Sequence, residues 1–226
     1  LARRGFIVGC VSRTGDKPEG YDSATPECRE RMLIVTSDVA QEESFAGSLK
    51  DIAERAGGIA GLVNNAGIHR EESSHTLSTA DFEYVFRVNT TAVFTACRDA
   101  YPYLIAGKGG LIVNIGSFYD KLGVKRNSAY CASKAAVAAL TRCLAAEWGK
   151  QGVAVLNVAP GYVETEINRA FLNDAKGGER VRSRSFINRA GDVGEIARLV
   201  ASLYVEDIKF LTGETIYIDG GHALSL

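Results

Sequence analysis

The sequence has no excess of charge of either sign. It contains 26 lysines and arginines against 27 aspartates and glutamates, so its formal net charge is −1 at pH 7. Proteins that bind nucleic acid or an anionic membrane surface usually carry a basic excess, and this chain also has no acidic tail. We therefore expect neither nucleic acid nor a membrane as a partner.

Cysteine and histidine are scarce and irregularly spaced. The five cysteines are odd in number and include no C-x-x-C pair, which argues against both a disulfide framework and a zinc site. The three histidines, His69, His75 and His222, also lack the spacing of metal ligands. The sequence therefore predicts no metal site.

Long apolar runs are missing as well. No apolar run approaches ~18 residues, and nothing resembles a signal peptide. The hydrophobic content of 46% and the charged content of 23% are typical of globular proteins. These features predict a soluble, cytoplasmic protein, and a length of 226 residues allows one substantial core.

The sequence does contain short apolar runs that alternate with longer helical patterns. Strands are predicted at residues 6–11, 32–37, 61–65, 111–117, 153–160 and 214–219, and helices at residues 41–55, 79–105, 129–149 and 192–205. Most of the short runs are continuously apolar, as in parallel strands that helices cover on both faces. The alternation predicts right-handed βαβ units and a doubly wound parallel sheet, forming a single α/β domain over residues 1–226.

Residues 166–190 are more polar and irregular than the rest of the chain. They follow the strand predicted at 153–160, where open α/β sheets place ligand-binding excursions. We interpret this segment as a substrate lid.

The stretch "SAYCASKAAVAAL", residues 128–140, places Tyr130 and Lys134 four residues apart in a run of high helix propensity. Such a spacing puts both side chains on one face of a helix. A cation within about 4 to 6 Å stabilises a phenolate and lowers the pKa of the phenol by ~1 to 3 pH units. The pair is therefore either a tunable acid and base or an ordinary aromatic residue beside a solvated charge.

Other segments decide between these interpretations. Ser117 ends the run "LIVNIGS", thirteen residues before Tyr130, and Asn89 lies in "VFRVNTTAVF". "NNAG" at 64–67 and "PGYVET" at 160–165 each lie at the end of a predicted strand. Together these motifs resemble the short-chain dehydrogenase/reductase family over essentially the whole chain. The resemblance implies a Rossmann-type fold, a nicotinamide cofactor, and reversible hydride transfer between that cofactor and an alcohol or carbonyl group.

The resemblance assigns a catalytic role to four residues. It implies that Tyr130 is the general acid or base and that Ser117 donates a hydrogen bond to the reacting oxygen. Lys134 would hold the nicotinamide ribose hydroxyls and depress the pKa of Tyr130, and Asn89 would anchor a water molecule of a proton relay. Taken singly, Ser117 could instead cap a turn, and Asn89 could satisfy a helix kink.

Further residues match the family's cofactor positions. Besides Tyr130 and Lys134 these are Asp38, Val39, Asn65, Ala66, Gly67, Val163 and Thr165. Cofactor type is read at the end of the first predicted strand, where a carboxylate favours NAD(H) and an adjacent arginine favours NADP(H). The chain has Ser12 and Arg13 there, so we expect NADP(H). The alternative is that Arg13 is a solvated charge for which Asp16 competes.

The family's glycine-rich phosphate-binding turn is not found in this sequence. The opening residues "LARRGF" look like the last turn of the helix that follows that turn. Either residues before residue 1 are omitted or the protein is truncated. Omission is favoured, because the family's first strand lies at the centre of the sheet and its loss would leave apolar strands unpaired. We therefore expect a strand and a glycine-rich turn before residue 1.

The chain resembles the 3-oxoacyl-thioester reductases and secondary-alcohol dehydrogenases of the family. The residues expected to shape the pocket are Ile68, Phe118, Tyr119, Tyr162 and Phe171, which suit a lipid-like or cyclic ketone. Arginines 169, 180, 182, 184 and 189 in the lid could meet an anionic acyl carrier or the phosphate of coenzyme A. A solvated polar loop is the slightly preferred alternative.

Two further expectations concern activity and assembly. A catalytically silent nucleotide-binding or scaffolding protein of the same fold would usually have lost Ser117, Tyr130 or Lys134, and all three are present. The apolar surfaces of the helices at 79–105 and 129–149 resemble those that pair family members into dimers and tetramers, so a homotetramer or dimer is expected. These helices could instead simply pack on the sheet.

Overall fold

The computed structural model describes residues 1–206 and 208–225, without the side chains of residues 166–168 and 170. These described residues contain six strands: β1 (Val8–Ser12), β2 (Met32–Thr36), β3 (Gly61–Asn64), β4 (Gly110–Ile115), β5 (Val153–Pro160) and β6 (Thr215–Ile218). The helices are α1 (Pro26–Glu30), α2 (Glu42–Ala56), α3 (Thr79–Phe86), α4 (Ala92–Ala106), α5 (Ser128–Trp148), α6 (Glu166–Asn173), α7 (Ala175–Arg184) and α8 (Val193–Val205). The predicted α/β fold is confirmed, with each predicted strand at its expected place.

All strand pairs are parallel. Strand β1 pairs with β2, and the other four strands form a sheet in the order β3-β4-β5-β6. Within the described residues β1 and β3 do not pair, and a cavity of about 330 Å³ lies between them, lined by Val8, Gly9 and Val63 among others. The expectation that a further strand belongs before residue 1 stays a prediction.

The register of the larger sheet aligns three asparagines. Asn64 on β3 lies opposite Asn114 on β4, which lies opposite Asn157 on β5. Asn64 Nδ2 donates to Asn114 Oδ1 at 2.8 Å, and Asn114 Nδ2 donates to Thr141 Oγ1 on α5 at 3.0 Å. This polar row lies near the carboxyl ends of the strands.

Helices cover both faces of the larger sheet, which explains its continuously apolar strands. Successive strand residues point to opposite faces, so Ile112 and Val155 pack with α2, α4 and α5, whereas Val113 and Leu156 pack with α8. All four residues are at most 2% exposed. Each such burial stabilises the fold by about 1.5 to 3 kcal/mol. No helix within the described ranges has the length and apolarity required to span a bilayer.

The helix predicted at 79–105 is interrupted. Ser78 caps α3, its hydroxyl accepting from Asp81 N. Between α3 and α4 the chain forms a π-helix over Arg87–Thr91, with Asn89 at its centre. The extent of the predicted helix is therefore confirmed, and the π-helical turn within it is a feature that the apolar pattern did not indicate. Insertions of this kind occur often at functional sites, where they redirect a side chain.

Residues 166–190 begin with two helices, α6 and α7, that pack on each other. A Cβ atom at Gly177 would lie 2.3 Å from Phe171 O, so glycine is required for this close approach. Asp174 caps α7 by accepting from the backbone N–H groups of Lys176 and Gly177. Neither helix is among those that apolar periodicity predicts. Their action as a substrate lid stays a prediction.

Candidate active site

Helix α5 brings Tyr130 and Lys134 together. The Nζ atom of Lys134 lies 5.7 Å from the centroid of the Tyr130 ring, as one helical turn requires. The same Nζ donates to the carbonyl oxygen of Ile115 at 2.8 Å. The predicted proximity is confirmed, and the lysine also ties α5 to the carboxyl end of β4.

Burial governs the protonation of both side chains. It lowers the pKa of Lys134 from 10.5 to about 8. Burial also raises the pKa of Tyr130 above its ordinary value, a change that a hydrogen bond with Ser117 opposes. The expectation that Lys134 depresses the pKa of this phenol is therefore wrong for the protein itself, because desolvation dominates. Tyr130 is thus a neutral phenol with a proton to donate at neutral pH.

Ser117 lies just beyond β4 in extended backbone and begins a 3-10 turn over Phe118–Asp120. Its Oγ accepts from Tyr119 N at 3.2 Å, so the alternative prediction that it caps a turn is confirmed. A serine hydroxyl can accept and donate at the same time. The cap therefore orients Ser117 and leaves its O–H proton for another acceptor, such as Tyr130 or a substrate oxygen.

Asn89 is buried in the π-helix and uses its whole side-chain amide within the protein. Its Oδ1 accepts from Ile68 N at 2.8 Å, and its Nδ2 donates to Ile68 O at 2.9 Å and to Ser133 Oγ at 3.1 Å. Ser133 in turn donates to Tyr130 O at 2.8 Å. Asn89 thus joins the loop after β3 to α5 from the π-helical turn. Its predicted role as a water anchor stays a prediction.

A cavity of about 960 Å³ connects the predicted catalytic and cofactor positions. It is lined by Ser117, Tyr130 and Lys134 together with four of the predicted cofactor residues, Asn65, Gly67, Val163 and Thr165. All five residues expected to shape the substrate pocket, Ile68, Phe118, Tyr119, Tyr162 and Phe171, also line it, which confirms their placement.

Gly67 permits close approach of a ligand to the predicted catalytic side chains. A Cβ atom at this position would lie 3.4 Å from Asn89 Oδ1 and 3.6 Å from Lys134 Nζ. The absence of a side chain therefore leaves the space beside Lys134 open to a ligand, as expected for a cofactor position.

The remaining cofactor candidates lie outside this large cavity. Val39 and Ala66 line the smaller cavity between β1 and β3, together with Asn65. Asp38 accepts from Ala40 N through Oδ1 at 2.9 Å and so closes a turn after β2. Its carboxylate therefore has a structural role besides the predicted contact with adenine.

Ser12 and Arg13 lie at the carboxyl end of β1. Ser12 Oγ accepts from Gly15 N at 3.0 Å, and Arg13 is exposed. Asp16 accepts a hydrogen bond from the Thr14 hydroxyl, and among the described residues it forms no ion pair with Arg13. The expected competitor for this guanidinium is therefore engaged elsewhere.

The sequence analysis did not identify His69 as a neighbour of Tyr130. Its ring lies 4.9 Å from the Tyr130 ring, edge to face, and its Nε2 is hydrogen-bonded to Asn127 Oδ1. Asn127 Nδ2 donates to Lys125 O, so its Oδ1 is the atom that faces the imidazole, and the proton of His69 lies on Nε2. The sequence offered one indication of this position, because His69 lies two residues after "NNAG", a motif at the end of a predicted strand.

Comparison with known proteins gives a consistent result. A family model described as enoyl-(acyl carrier protein) reductase matches residues 1–223. The chain is 35% identical over 227 aligned residues to a glucose 1-dehydrogenase of Gluconobacter oxydans, covering 99% of this chain and 85% of that protein. It is 33% identical to a 3-oxoacyl-(acyl-carrier-protein) reductase of Vibrio cholerae, with coverage of 98% and 88%.

The fold has solved counterparts of similar extent. The crystal structure of a gluconate 5-dehydrogenase from Burkholderia cenocepacia, in complex with NADP and tartrate, superposes with a TM-score of 0.90 at 30% identity. The match covers 100% of this chain and 89% of that one. The sequence matches and this shared fold together show that the chain belongs to the short-chain dehydrogenase/reductase family and is an oxidoreductase acting on carbonyl or secondary-alcohol groups.

Proposed function

We propose that the protein is an NADP(H)-dependent carbonyl reductase in which Ser117, Tyr130 and Lys134 carry out catalysis. The observation that carries this proposal is the single cavity in which these three side chains meet the predicted nicotinamide positions. A proton donor and a cofactor site in one cavity are what hydride transfer to a carbonyl group requires.

Each side chain has a defined task at the reacting oxygen. The O–H of Ser117, oriented by its bond to Tyr119 N, donates to the substrate oxygen and stabilises the charge that develops there. Tyr130 is a neutral phenol at neutral pH and delivers its proton to that oxygen during reduction. Lys134 presents a buried ammonium for the ribose hydroxyls of the cofactor.

The residues present fit a nicotinamide cofactor. When bound, the nicotinamide cofactor supplies or accepts the hydride. Asn65 and Gly67 line the cavity next to Lys134, and the open space at Gly67 suits a sugar close to the backbone. Val163 and Thr165 line the same cavity and are the positions for the carboxamide. Asn89 ties the loop after β3 to α5 through Ile68 and Ser133.

Preference for NADP(H) is supported by Arg13. Its exposed guanidinium lies at the end of β1 without an ion pair to Asp16, among the residues described, and can bind a 2′-phosphate in a bidentate manner. The related gluconate 5-dehydrogenase structure contains NADP. Arg13→Ala is expected to weaken NADPH binding about tenfold to a hundredfold and to leave NADH binding almost unchanged. Equal losses for the two cofactors would contradict the proposal.

The substrate site is aromatic on several sides. Phe118 packs against Tyr119 and Tyr162 with ring centroids 4.8 and 5.4 Å apart, and Tyr162 stacks on Phe171 at 5.8 Å. These walls favour a lipid-like or cyclic ketone. The two curated relatives are named for a sugar and for a 3-oxoacyl thioester, so a thioester substrate belongs among the candidates.

The lid arginines support a thioester carrier only weakly. Arg182 pairs with Glu179 at 3.1 Å, and Arg189 pairs with Glu195 at 2.7 Å. Two of the five positive charges are therefore neutralised within the chain. If arginines of the lid hold an anionic carrier, added salt should raise the KM of a thioester substrate much more than that of a neutral ketone.

We also propose a cytoplasmic homotetramer. Helix α4 exposes Phe94 (42%) and Ile105 (41%), apolar side chains that an interface between copies would cover. Analytical ultracentrifugation at micromolar concentration measures the assembly directly. A monomer at that concentration would contradict this part of the proposal.

The decisive experiment measures NADPH oxidation against a panel of cyclic, aromatic and acyl-thioester ketones. Tyr130→Phe, which keeps the ring but removes the proton, should reduce kcat about a hundredfold to ten-thousandfold. Binding of NADPH without oxidation across the panel would favour the alternative of a catalytically silent member of the fold.

A further inference from the structure

Two phenol groups meet in the substrate part of the large cavity. The hydroxyl oxygens of Tyr119 and Tyr162 lie 2.7 Å apart, and both residues line the cavity and are only half-buried. Tyr119 lies two residues after Ser117, and Tyr162 lies in the loop that follows β5. Neither hydroxyl has a role in the proton delivery described above.

Counting protons shows what this pair can do. Each phenol has one proton, and a hydrogen bond between two hydroxyls uses one of the two. The second proton has no acceptor among the hydrogen bonds of the described residues, so the pair as a unit is a donor. Burial and the bond to Tyr162 raise the pKa of Tyr119, so this phenol keeps its proton at neutral pH.

The surrounding rings hold the pair close to the reacting group. The Tyr119 ring lies 5.9 Å from the Tyr130 ring, almost perpendicular to it. Tyr162 is held from behind by Phe118 and by His222, whose ring centroid lies 5.1 Å away. A substrate whose oxygen receives the Tyr130 proton therefore places its neighbouring atoms beside the pair.

We propose that Tyr119 and Tyr162 form a hydrogen-bonding clamp that selects ketones with a second oxygen acceptor within one or two carbons of the reacting carbonyl. Such substrates include α-hydroxy ketones and diketones. This inference rests on the proposed reductase function and adds a specificity that the aromatic walls alone would not give. An unsubstituted ketone would leave the donor without a partner in a half-buried site, which costs affinity.

The test compares 2-hydroxycyclohexanone with 2-methylcyclohexanone, which has a similar size but no second oxygen acceptor. The wild-type ratio of kcat/KM should favour the hydroxylated ketone. Tyr119→Phe and Tyr162→Phe each keep the ring packing and should lower this ratio about fivefold to a hundredfold. Tyr101→Phe is the matched control, because Tyr101 packs on Trp148 in the core and does not line the cavity.

The outcomes separate this proposal from the proposed function. Turnover of both ketones with a ratio that neither variant lowers overturns the clamp and leaves the reductase intact. If neither ketone is reduced, isothermal titration calorimetry of the two ketones decides the clamp without turnover. Tighter binding of the hydroxylated ketone by the wild type, lost in Tyr119→Phe, supports it, and equal binding overturns it.

Discussion

Replacing the buried Lys134 by methionine should remove a pH-dependent part of the free energy of unfolding. The ammonium is only 5% exposed, and burial lowers its pKa from 10.5 to about 8. Between these values the unfolded chain binds the proton more tightly than the folded chain. The stability of the wild type should therefore rise as the pH increases from 8 to 10.5.

The magnitude follows from the displacement of the pKa. A change from 10.5 to about 8 corresponds to about 3 kcal/mol, which opposes folding below pH 8 and is relieved above pH 10.5. The methionine variant lacks this dependence. It also loses the hydrogen bond to Ile115 O, which adds an offset of about 1 to 3 kcal/mol that does not depend on pH.

Urea denaturation of both proteins from pH 7 to pH 11 measures the effect as a difference, in which other titrating groups cancel. The free energy of unfolding of the wild type minus that of Lys134→Met should rise by about 3 kcal/mol over this range. Lys150→Met is the matched control, because Lys150 is exposed. A difference that stays flat with pH would refute the reasoning that desolvation controls this lysine.

Three further substitutions test other parts of the site. Ser117→Ala removes the proposed donor to the reacting oxygen and should lower kcat about a hundredfold to a thousandfold in the NADPH assay. An unchanged kcat would exclude that role. Asn89→Ala leaves the backbone N–H and C=O groups of Ile68 without their partners. The free energy of unfolding, measured in urea, should fall by about 2 kcal/mol or more. A loss below about 0.5 kcal/mol would show that Asn89 does not hold the loop. Gly161→Ala places a Cβ 2.7 Å from Asp219 Cα and should destabilise the fold by about 1 to 3 kcal/mol. Gly123→Ala is the control, because a Cβ there meets nothing within 4 Å. Similar melting temperatures for the two variants would contradict the close contact at Gly161.

The positions of the strands were predictable because a strand that helices cover on both faces has a continuously apolar sequence. The run "VAVLNVAP" is continuously apolar apart from Asn157, and β5 occupies the same residues, 153–160. Lys134 and Tyr130 were predicted together because helical spacing alone determines their proximity. These features depend on neighbours in sequence.

The features that were missed depend on neighbours in space. The π-helix at Arg87–Thr91 is stabilised by bonds from Asn89 to Ile68 and Ser133, which are 21 and 44 residues away. The raised pKa of Tyr130 arises from burial that the helix pattern does not reveal. Helix α7 has a polar composition whose stability comes from packing on α6.

The hydrogen-bonded pair of Asn64 and Asn114 fixes the alignment of β3 with β4. A shift of β4 by one residue would turn the Asn114 side chain to the opposite, apolar face of the sheet. It would lose its hydrogen bonds to Asn64 and Thr141, and buried polar groups would be left without partners. Ser117 comes only three residues after Asn114. The alignment of β4 in the sheet therefore also determines where the Ser117 hydroxyl lies at the carboxyl end of the strand. The position of the proposed catalytic serine thus depends on amides that do not line the large cavity.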